Sequence, residues 1–338
     1  MIRSVQFTGI FKGRTTIANR EKVLSPFWVM VQKEVSDHVR SWRLIILAAL
    51  MGLTCMGSLY TSISNLGRVI KPNSPEGAFF FLKLFTLSDG TIPPFHVFIG
   101  FLGPLIGISL GFDAINSEQN GRTLSRILAQ PVHRDYVINA KFIGALIVIS
   151  VMFFALTLLV IGFGLILIGI PPTATEFLRI MCFLLLSIVY VAFWLNLSIL
   201  FSVRFRQAAT SALTCIAVWL FFSVFYEMII GLIAKAFAPS ADLASPEQVI
   251  KFQKLIQGLS RLAPRQLFTD ATSTLLLPSV RSLGPLTFSQ MFGAVPNPLP
   301  LGQSLLIVWP QVTGLIAAAV LCFALSYRFF MKREIRSR

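Results

Sequence analysis

The chain alternates between long apolar stretches and shorter polar ones. A helix that crosses a bilayer needs about 20 mostly apolar residues, and six stretches of this sequence approach or exceed that length. They cover residues 44–63, 95–112, 142–170, 177–202, 208–234 and 304–327. We therefore predict an all-α integral membrane protein with six transmembrane helices in one membrane domain, 44–327. The third stretch is long enough to tilt or to begin on the cytoplasmic side of the membrane.

Composition agrees with this class of protein. Of 338 residues, 55% are hydrophobic and 13% charged, whereas soluble domains carry about 25% charged residues. The net charge of +15 would suggest nucleic acid in a soluble protein. Here the basic residues follow the membrane topology instead, so no nucleic-acid partner is predicted.

The distribution of basic residues predicts the orientation. With the N-terminus inside, about two thirds of the 29 Lys and Arg fall in the inside segments 1–43, 113–141, 203–207 and 328–338. This is the direction of the positive-inside bias. We predict both termini in the cytoplasm, a basic tail at 328–338, and the cytoplasmic membrane of a prokaryote. We expect no cleaved leader, because residues 1–43 are basic and lack an early apolar core.

Residues 26–42 predict an amphipathic helix within the cytoplasmic N-terminus. Its apolar positions recur at helical spacing and are Phe27, Trp28, Val31, Val35, Val39 and Trp42. Its polar face contains Gln32, Lys33, Glu34, Ser36, Asp37 and Arg40. Such a helix is expected to lie in the membrane interface in contact with lipid. A soluble helix packed on a partner is the alternative, and the two are not exclusive.

Residues 113–141 form a polar segment between the second and third spans. A loop that only reverses the chain needs about three to eight residues, so this one has room for structure. A helix is predicted over 113–130, ended by Pro131, and a second over 135–141 that leads into the third span. Its apolar edge consists of Ile115, Leu124, Ile127 and Leu128. We predict a cytoplasmic hairpin that binds a partner.

The segment 235–303, between the fifth and sixth spans, is predicted to lie outside. Ser245, Pro246 and Glu247 are typical of a helix start, and apolar residues recur through 249–262. A second amphipathic stretch covers 266–277. We predict one or two short external helices, then an extended return rich in Gly and Pro.

The sequence contains no complete catalytic or nucleotide-binding motif. Gly121-Arg122-Thr123 resembles the end of a phosphate loop, but a Walker A motif needs a Gly five residues earlier and Lys in place of Arg; that earlier position is Asn116. The three His are isolated, and the four Cys lie in apolar runs without metal or redox spacing. We predict that the chain is not an enzyme and has no catalytic, cofactor-binding or metal-binding residues.

Two features lie within the spans. Glu227 is an acid well inside the fifth span, and it either lines a path or binds a partner, or rests near the outer interface beside Tyr226. Gly103, Gly107 and Gly111 lie four residues apart on one face of the second span. This spacing lets another helix approach closely, in this chain or in another one.

Several short motifs resemble those of a known family, the ABC-2 type permeases, which are membrane subunits of ATP-binding-cassette exporters. That family has E-x-x-x-G-T-L and P-V-x-R after the second span, then Lys at the start of the third. This chain has Glu118, then Gly121-Arg122-Thr123-Leu124, Pro131-Val132-His133-Arg134 and Lys141. Arg122 stands between Gly121 and Thr123, where the family has Gly and Thr adjacent. The segments QKEVSDHVRSWR and SYRFFMKREIR are also similar to the family's start and end.

The resemblance implies a pair of separate ABC ATPase subunits that bind ATP and Mg²⁺, and a second permease copy or paralogue. The hairpin would hold the ATPase-coupling contact, with candidates Asp113, Glu118, Gly121, Arg122, Thr123, Leu124, Leu128, Pro131 and Arg134. The interfacial helix would flank it through Trp28, Lys33, Glu34, Arg40 and Trp42. Substrate would pass between the two copies, with the external segment as a lid. Candidate path residues are Gly103, Gly107, Phe221, Phe225 and Glu227.

Two other functions stay open at this point. A non-transporting membrane scaffold or assembly factor could use the hairpin to recruit a cytosolic protein. An ion-coupled carrier is the other alternative, although carriers usually place paired charges within their spans. The sequence does not indicate a substrate.

Overall fold

The fold is built from helices. A computed structural model describes residues 25–69, 79–88, 90–130, 132–169, 171–239, 245–280, 283 and 298–332, and no strand occurs among them. The helices are α1 (Pro26–Val39), α2 (Trp42–Val69), α3 (Phe80–Thr86), α4 (Phe95–Gly111), α5 (Asn116–Asn120), α6 (Thr123–Leu128), α7 (Arg134–Ile168), α8 (Ala174–Arg204), α9 (Ala208–Leu220), α10 (Tyr226–Ala236), α11 (Pro246–Ser260), α12 (Pro264–Leu276) and α13 (Leu301–Lys332). A π-helical turn, Phe221–Phe225, joins α9 to α10.

Six helical segments in the described residues are long and apolar enough to cross a membrane, which confirms the predicted number. They are α2, α4, α7, α8, the continuous α9–α10 segment and α13. The predicted helix over 135–141 and the third predicted span are continuous in the structure: α7 is one helix of 35 residues that begins at Arg134. At 1.5 Å per residue it is roughly 52 Å long, so part of it projects beyond a hydrocarbon core of about 30 Å.

The centre of the bundle is α8, the most buried of the six spans. It packs against α4, α7, α12 and α13. The glycines of α4 face it closely: a Cβ at Gly107 would lie 2.7 Å from the carbonyl oxygen of Val191, and one at Gly111 would lie 2.9 Å from that of Leu195. The neighbour that the glycine spacing predicts is therefore a helix of the same chain.

Helix α3 lies between the first two predicted spans, where no helix was predicted from the sequence. Four of its seven residues are almost completely buried: Phe81, Leu82, Leu84 and Phe85. Glu176, in the first turn of α8, accepts a hydrogen bond from the backbone N–H of Phe81 at 3.0 Å. The helix is too short to span a bilayer, and it closes one end of the bundle.

Helices α11 and α12, residues 246–276, form what we call the strap. One or two helices were predicted here, and the structure has two. The predicted start at Pro246 is confirmed, with Ser245 and Gln248 in a reciprocal capping arrangement. Helix α11 runs back beside α10, and the carbonyl of Leu259, near the end of α11, accepts a hydrogen bond from the hydroxyl of Tyr226. Tyr226 lies ten residues before the end of α10, roughly 15 Å along the helix.

Helix α12 then returns through the bundle. Phe268 stacks on Tyr190 of α8, with ring centroids 4.4 Å apart, and touches α4 at Gly100. Near its end, the carbonyl of Leu275 accepts from Arg179. We call this end of the bundle the strap end. The opposite end, with α1, α5 and α6, is the hairpin end.

Candidate functional site

Helix α1 lies directly against the first turns of α7. Val31 is 2% exposed, and a Cβ added at Gly144 of α7 would lie 2.8 Å from Cβ of Glu34. Glu34 is buried as well, at 9% exposure. The pattern of the sequence assigned Glu34 to a polar face, and the structure instead turns it towards α7.

The burial of Glu34 is explained by a cluster of charges from three separate segments. Nζ of Lys141, in α7, lies 2.7 Å from Oε1 of Glu118 in α5 and 3.2 Å from both carboxylate oxygens of Glu34. Lys33 pairs with Glu34 at 2.9 Å and lies 3.6 Å from Glu118. Asp37 pairs with Lys33 at 3.3 Å. We call these five residues the charge cluster.

The cluster favours the charged forms of Glu34 and Lys33. Burial by itself raises the pKa of Glu34, but the charge of Lys141 and the hydrogen bond and charge of Lys33 outweigh it, so this pKa is lowered. Burial likewise lowers the pKa of Lys33, yet the hydrogen bond and charge of Glu34 raise it above its usual value. For nearby His38, burial lowers the pKa, and the charges of Glu34, Asp113 and Asp37 offset this only in part. At neutral pH Lys33 and Glu34 are thus ionised.

Both ends of the hairpin are fixed to the bundle. Asp113 accepts a hydrogen bond from Arg43 at 2.5 Å, and the Arg43 guanidinium lies 4.9 Å from the Phe112 ring centroid. At the other end, Arg134 donates to the carbonyl of Phe330 in α13 at 2.7 Å. The hydroxyl oxygen of Ser202, near the end of α8, accepts hydrogen bonds from the backbone N–H groups of Ile115 and Asn116.

The turn between α5 and α6 contains an unusual backbone conformation. Arg122 has φ of +55°, the left-handed region that non-glycine residues rarely adopt. In the family pattern E-x-x-x-G-T-L, the glycine follows the glutamate by four residues, and here Glu118 plus four is Arg122. Arg122 is therefore better described as replacing the glycine than as an insertion. Thr123 keeps its place and donates its hydroxyl to the carbonyl of Glu118 at 3.2 Å.

The structure divides the predicted coupling residues into two groups. Gly121, Arg122 and Thr123 are exposed at the tip of the hairpin. The inward group, whose side chains hold the hairpin to the bundle, consists of Asp113, Glu118, Leu124 and Arg134. Pro131 and the side chain of Leu128 lie outside the described residues.

The predicted interfacial helix ends earlier than expected. α1 stops at Val39, and Trp42 already belongs to α2. Trp28 and Trp42 are 51% and 77% exposed, and Lys33 and Arg40 are exposed too. The helix thus has one face against α7 and another, with Trp28, that is exposed.

The candidate path residues lie in two places. Gly103 and Gly107 are buried against α8. Phe221 and Phe225 are 42% and 45% exposed on the π-helical turn of the fifth span. Just after this turn, Glu227 lies 3.6 Å from Arg265 of the strap. Their role in a path stays a prediction.

Sequence reasoning missed two partners. Lys141 was identified only as part of a motif, and its pairing with Glu34, 107 positions away, has no local signal. Arg265 was not singled out, although an acid inside a span needs a partner. Among the described residues, no group of His, Cys, Asp and Glu is arranged to hold a metal ion.

The described residues contain six apolar helices, with α8 at their centre, and these define a multi-pass helical membrane protein. Comparison with known sequences assigns the family: a model described as ABC-2 family transporter protein matches residues 28–335. The chain belongs to the ABC-2 transporter family, as a membrane subunit of an ABC transporter.

Two curated relatives are similar over a shorter stretch. A probable ABC transporter permease protein NosY of Pseudomonas aeruginosa is 25% identical over 211 residues, which cover 60% of this chain and 68% of the relative. A protein of the same name from Stutzerimonas stutzeri is 22% identical over 213 residues, 61% of this chain and 70% of the relative.

Proposed function

We propose that this chain is the permease subunit of an ABC exporter, in which a separate pair of ATPase subunits hydrolyses ATP and the hairpin receives the resulting movement. Two copies, or one copy and a paralogue, form the membrane part. Substrate passes outward between them, along the fifth span with Phe221, Phe225 and Glu227. ATP and Mg²⁺ are bound by the ATPase pair.

The observation that carries this proposal is the charge cluster. The three segments with family-like motifs, around Glu34, Glu118 and Lys141, meet there. A force applied to the exposed tip at Arg122 would reach α7 through the buried contact between Glu118 and Lys141. Since α7 is one continuous helix from Arg134 to Ile168, displacement of its first turns is passed into the membrane. ATPase closure would then favour one of two packings of the bundle.

We place the hairpin end and both termini in the cytoplasm. The excess of Lys and Arg in the segments at that end supports this orientation. The exposed Trp28 and Trp42 suit the headgroup level of a bilayer, where such side chains are enriched. The bacterial origin of both relatives supports the cytoplasmic membrane of a prokaryote.

The test is purification of the chain from its native membrane, with the bound proteins identified and ATP hydrolysis measured. We expect a P-loop ATPase in a stable complex. Replacing the exposed Arg122 and Arg126 by Ala should weaken that complex or uncouple hydrolysis from transport. The matched control replaces Lys251 and Lys254, two exposed basic residues of the strap, and should leave the complex intact.

Three results would contradict the proposal. A chain that purifies without an ATPase, but with another cytosolic protein, would indicate a scaffold. Transport driven by an ion gradient without ATP would indicate a carrier. Equal effects of the hairpin and strap substitutions on ATPase binding would remove the assigned role of the hairpin.

A further inference from the structure

The strap is braced internally. Arg261, directly after α11, donates from Nε to Oδ2 of Asp270 in α12 at 2.9 Å, and Gln266 donates to Oδ1 of the same residue at 2.7 Å. Asp270 is 7% exposed. A buried carboxylate that holds both helices at their turn makes them one unit, so the strap is expected to shift as a whole.

On the side of α8 the strap is held by a buried cation. Arg179 is 1% exposed and donates to the carbonyls of Leu275 at 2.9 Å and Leu299 at 2.5 Å, and to the hydroxyl of Ser304 at 3.2 Å. These contacts join the end of α12 to the start of α13. Breaking them would leave a buried charge without compensation, which is costly.

The contacts between the strap and the fifth span are more exposed than those between the strap and α8. Nη1 of Arg265 donates to the carbonyl of Ser223 at 2.6 Å and lies 3.6 Å from Oε1 of Glu227. The side chains of Arg265 and Glu227 are 24% and 46% exposed. Tyr226 adds its hydrogen bond to the carbonyl of Leu259 at 2.7 Å.

The Ser223 carbonyl lies in the π-helical turn. Here the backbone N–H of Tyr226 donates to the carbonyl of Phe221, five residues earlier, so the turn is wider than in an α-helix. Sharp changes in a helix occur where a side chain enters its hydrogen-bond ladder, and π-turns are frequent at functional sites. Arg265 therefore contacts the turn that sets the register between α9 and α10.

We propose that Arg265 is a positioning residue for transport: together with Glu227 and the Ser223 carbonyl it forms a latch between the strap and the fifth span, and this latch opens and closes during the ATPase cycle. The strap pivots on the buried Arg179 and releases at Arg265. The inference rests on the proposed function for the cycle, and on the geometry alone for the latch.

The latch is tested by hydrogen–deuterium exchange of the purified protein in peptides that cover 220–230 and 259–270. Arg265→Met removes both contacts, and we expect exchange to be about tenfold faster in both peptides, as for loss of one charge-assisted hydrogen bond. Arg265→Lys should stay near wild type. The double variant Arg265→Glu/Glu227→Arg restores the ion pair without the carbonyl bond, so only 259–270 should recover. Lys251→Met on the exposed face of the strap is the matched control.

Unchanged exchange of 220–230 in Arg265→Met would overturn the latch. Equally fast exchange in peptides throughout the bundle would overturn it too, because it would indicate a general loss of stability. For the cycle, the complex is compared without nucleotide, with ATP and with vanadate trapping; identical exchange at both peptides in all three states contradicts opening. Failure of the ATPase to co-purify would refute the proposed function while the exchange data on the chain still decide the latch.

Discussion

The two ends of the bundle use charge differently. At the hairpin end, the side chain of Lys141 is 7% exposed between the carboxylates of Glu118 and Glu34, 11% and 12% exposed. At the strap end, the pair of Arg265 and Glu227 is 24% and 46% exposed. A buried pair that loses one partner costs several kcal/mol, whereas an exposed pair contributes about 1 kcal/mol or less. The hairpin end is thus a fixed joint, and the strap end has a contact that can open.

Of the substitutions that test this difference between the two ends, Lys141→Met is expected to have the largest effect. It leaves Glu34 and Glu118 facing each other in a buried site, and we expect the free energy of unfolding to fall by about 3–5 kcal/mol. Lys235→Met, at an exposed position of α10, is the matched control and should have little effect. Chemical unfolding of the purified protein measures both. Equal small effects would show that the cluster is not the joint.

The contact between α1 and α7 can be changed without touching a charge. In Gly144→Ala the new Cβ would lie 2.8 Å from that of Glu34, so α1 must shift, at a cost of about 1–3 kcal/mol. Gly162→Ala in the same helix meets nothing within 4 Å, and higher helix propensity should stabilise it by up to about 1 kcal/mol. Unfolding of the two variants gives opposite signs if the packing is as described. Two changes of the same sign would contradict it.

Acid should loosen the hairpin end. The pKa of Glu34 is lowered in the folded protein, so its contribution to stability is complete above its ordinary value of 4.5 and is lost as pH falls through the folded value. The apparent melting temperature of the wild type should drop in that range. Glu34→Gln should be less stable at pH 7 and should show a smaller further loss below pH 4.5. Parallel pH profiles of the two proteins would refute this assignment.

The smallest effect is expected at the tip of the hairpin. A left-handed backbone conformation costs a non-glycine residue about 1 kcal/mol or more of folding free energy. A glycine avoids this cost, but its greater loss of chain entropy on folding costs about 0.5–1 kcal/mol. Arg122→Gly should therefore be neutral or stabilise by less than about 1 kcal/mol in unfolding experiments. Thr123→Gly is the control at a residue without positive φ, and it should destabilise. A clear loss of stability in Arg122→Gly would show that its side-chain contacts outweigh the strain.

Sequence reasoning was successful where length and period carry the signal. Six long apolar runs predicted six spans, and the helix start at Pro246 was found from its capping residues. It failed where burial depends on distant partners. Glu34 reads as a surface residue until Lys141 is placed beside it, and α3 is too short to stand out as a span.

The position of the strap and the presence of the π-helical turn could not be predicted from local sequence patterns, for the same reason. Helix α12 has polar residues such as Asp270 and Thr272 that suggest an external surface, yet Arg261 and the neighbouring helices bury them. Residues 221–225 have apolar or hydroxyl side chains that would suit an ordinary α-helix equally well, so their sequence does not indicate a π-helical turn. The contact with Arg265, 42 positions away, becomes visible only in three dimensions.

The central claim is that the hairpin, and not the strap, meets the ATPase. The most direct measurement places a photo-crosslinking amino acid at Arg122 or at Lys254, both exposed, and identifies the crosslinked protein after irradiation of native membranes. The account predicts a P-loop ATPase at position 122 and none at position 254. An ATPase captured at 254, or none captured at 122, would contradict it.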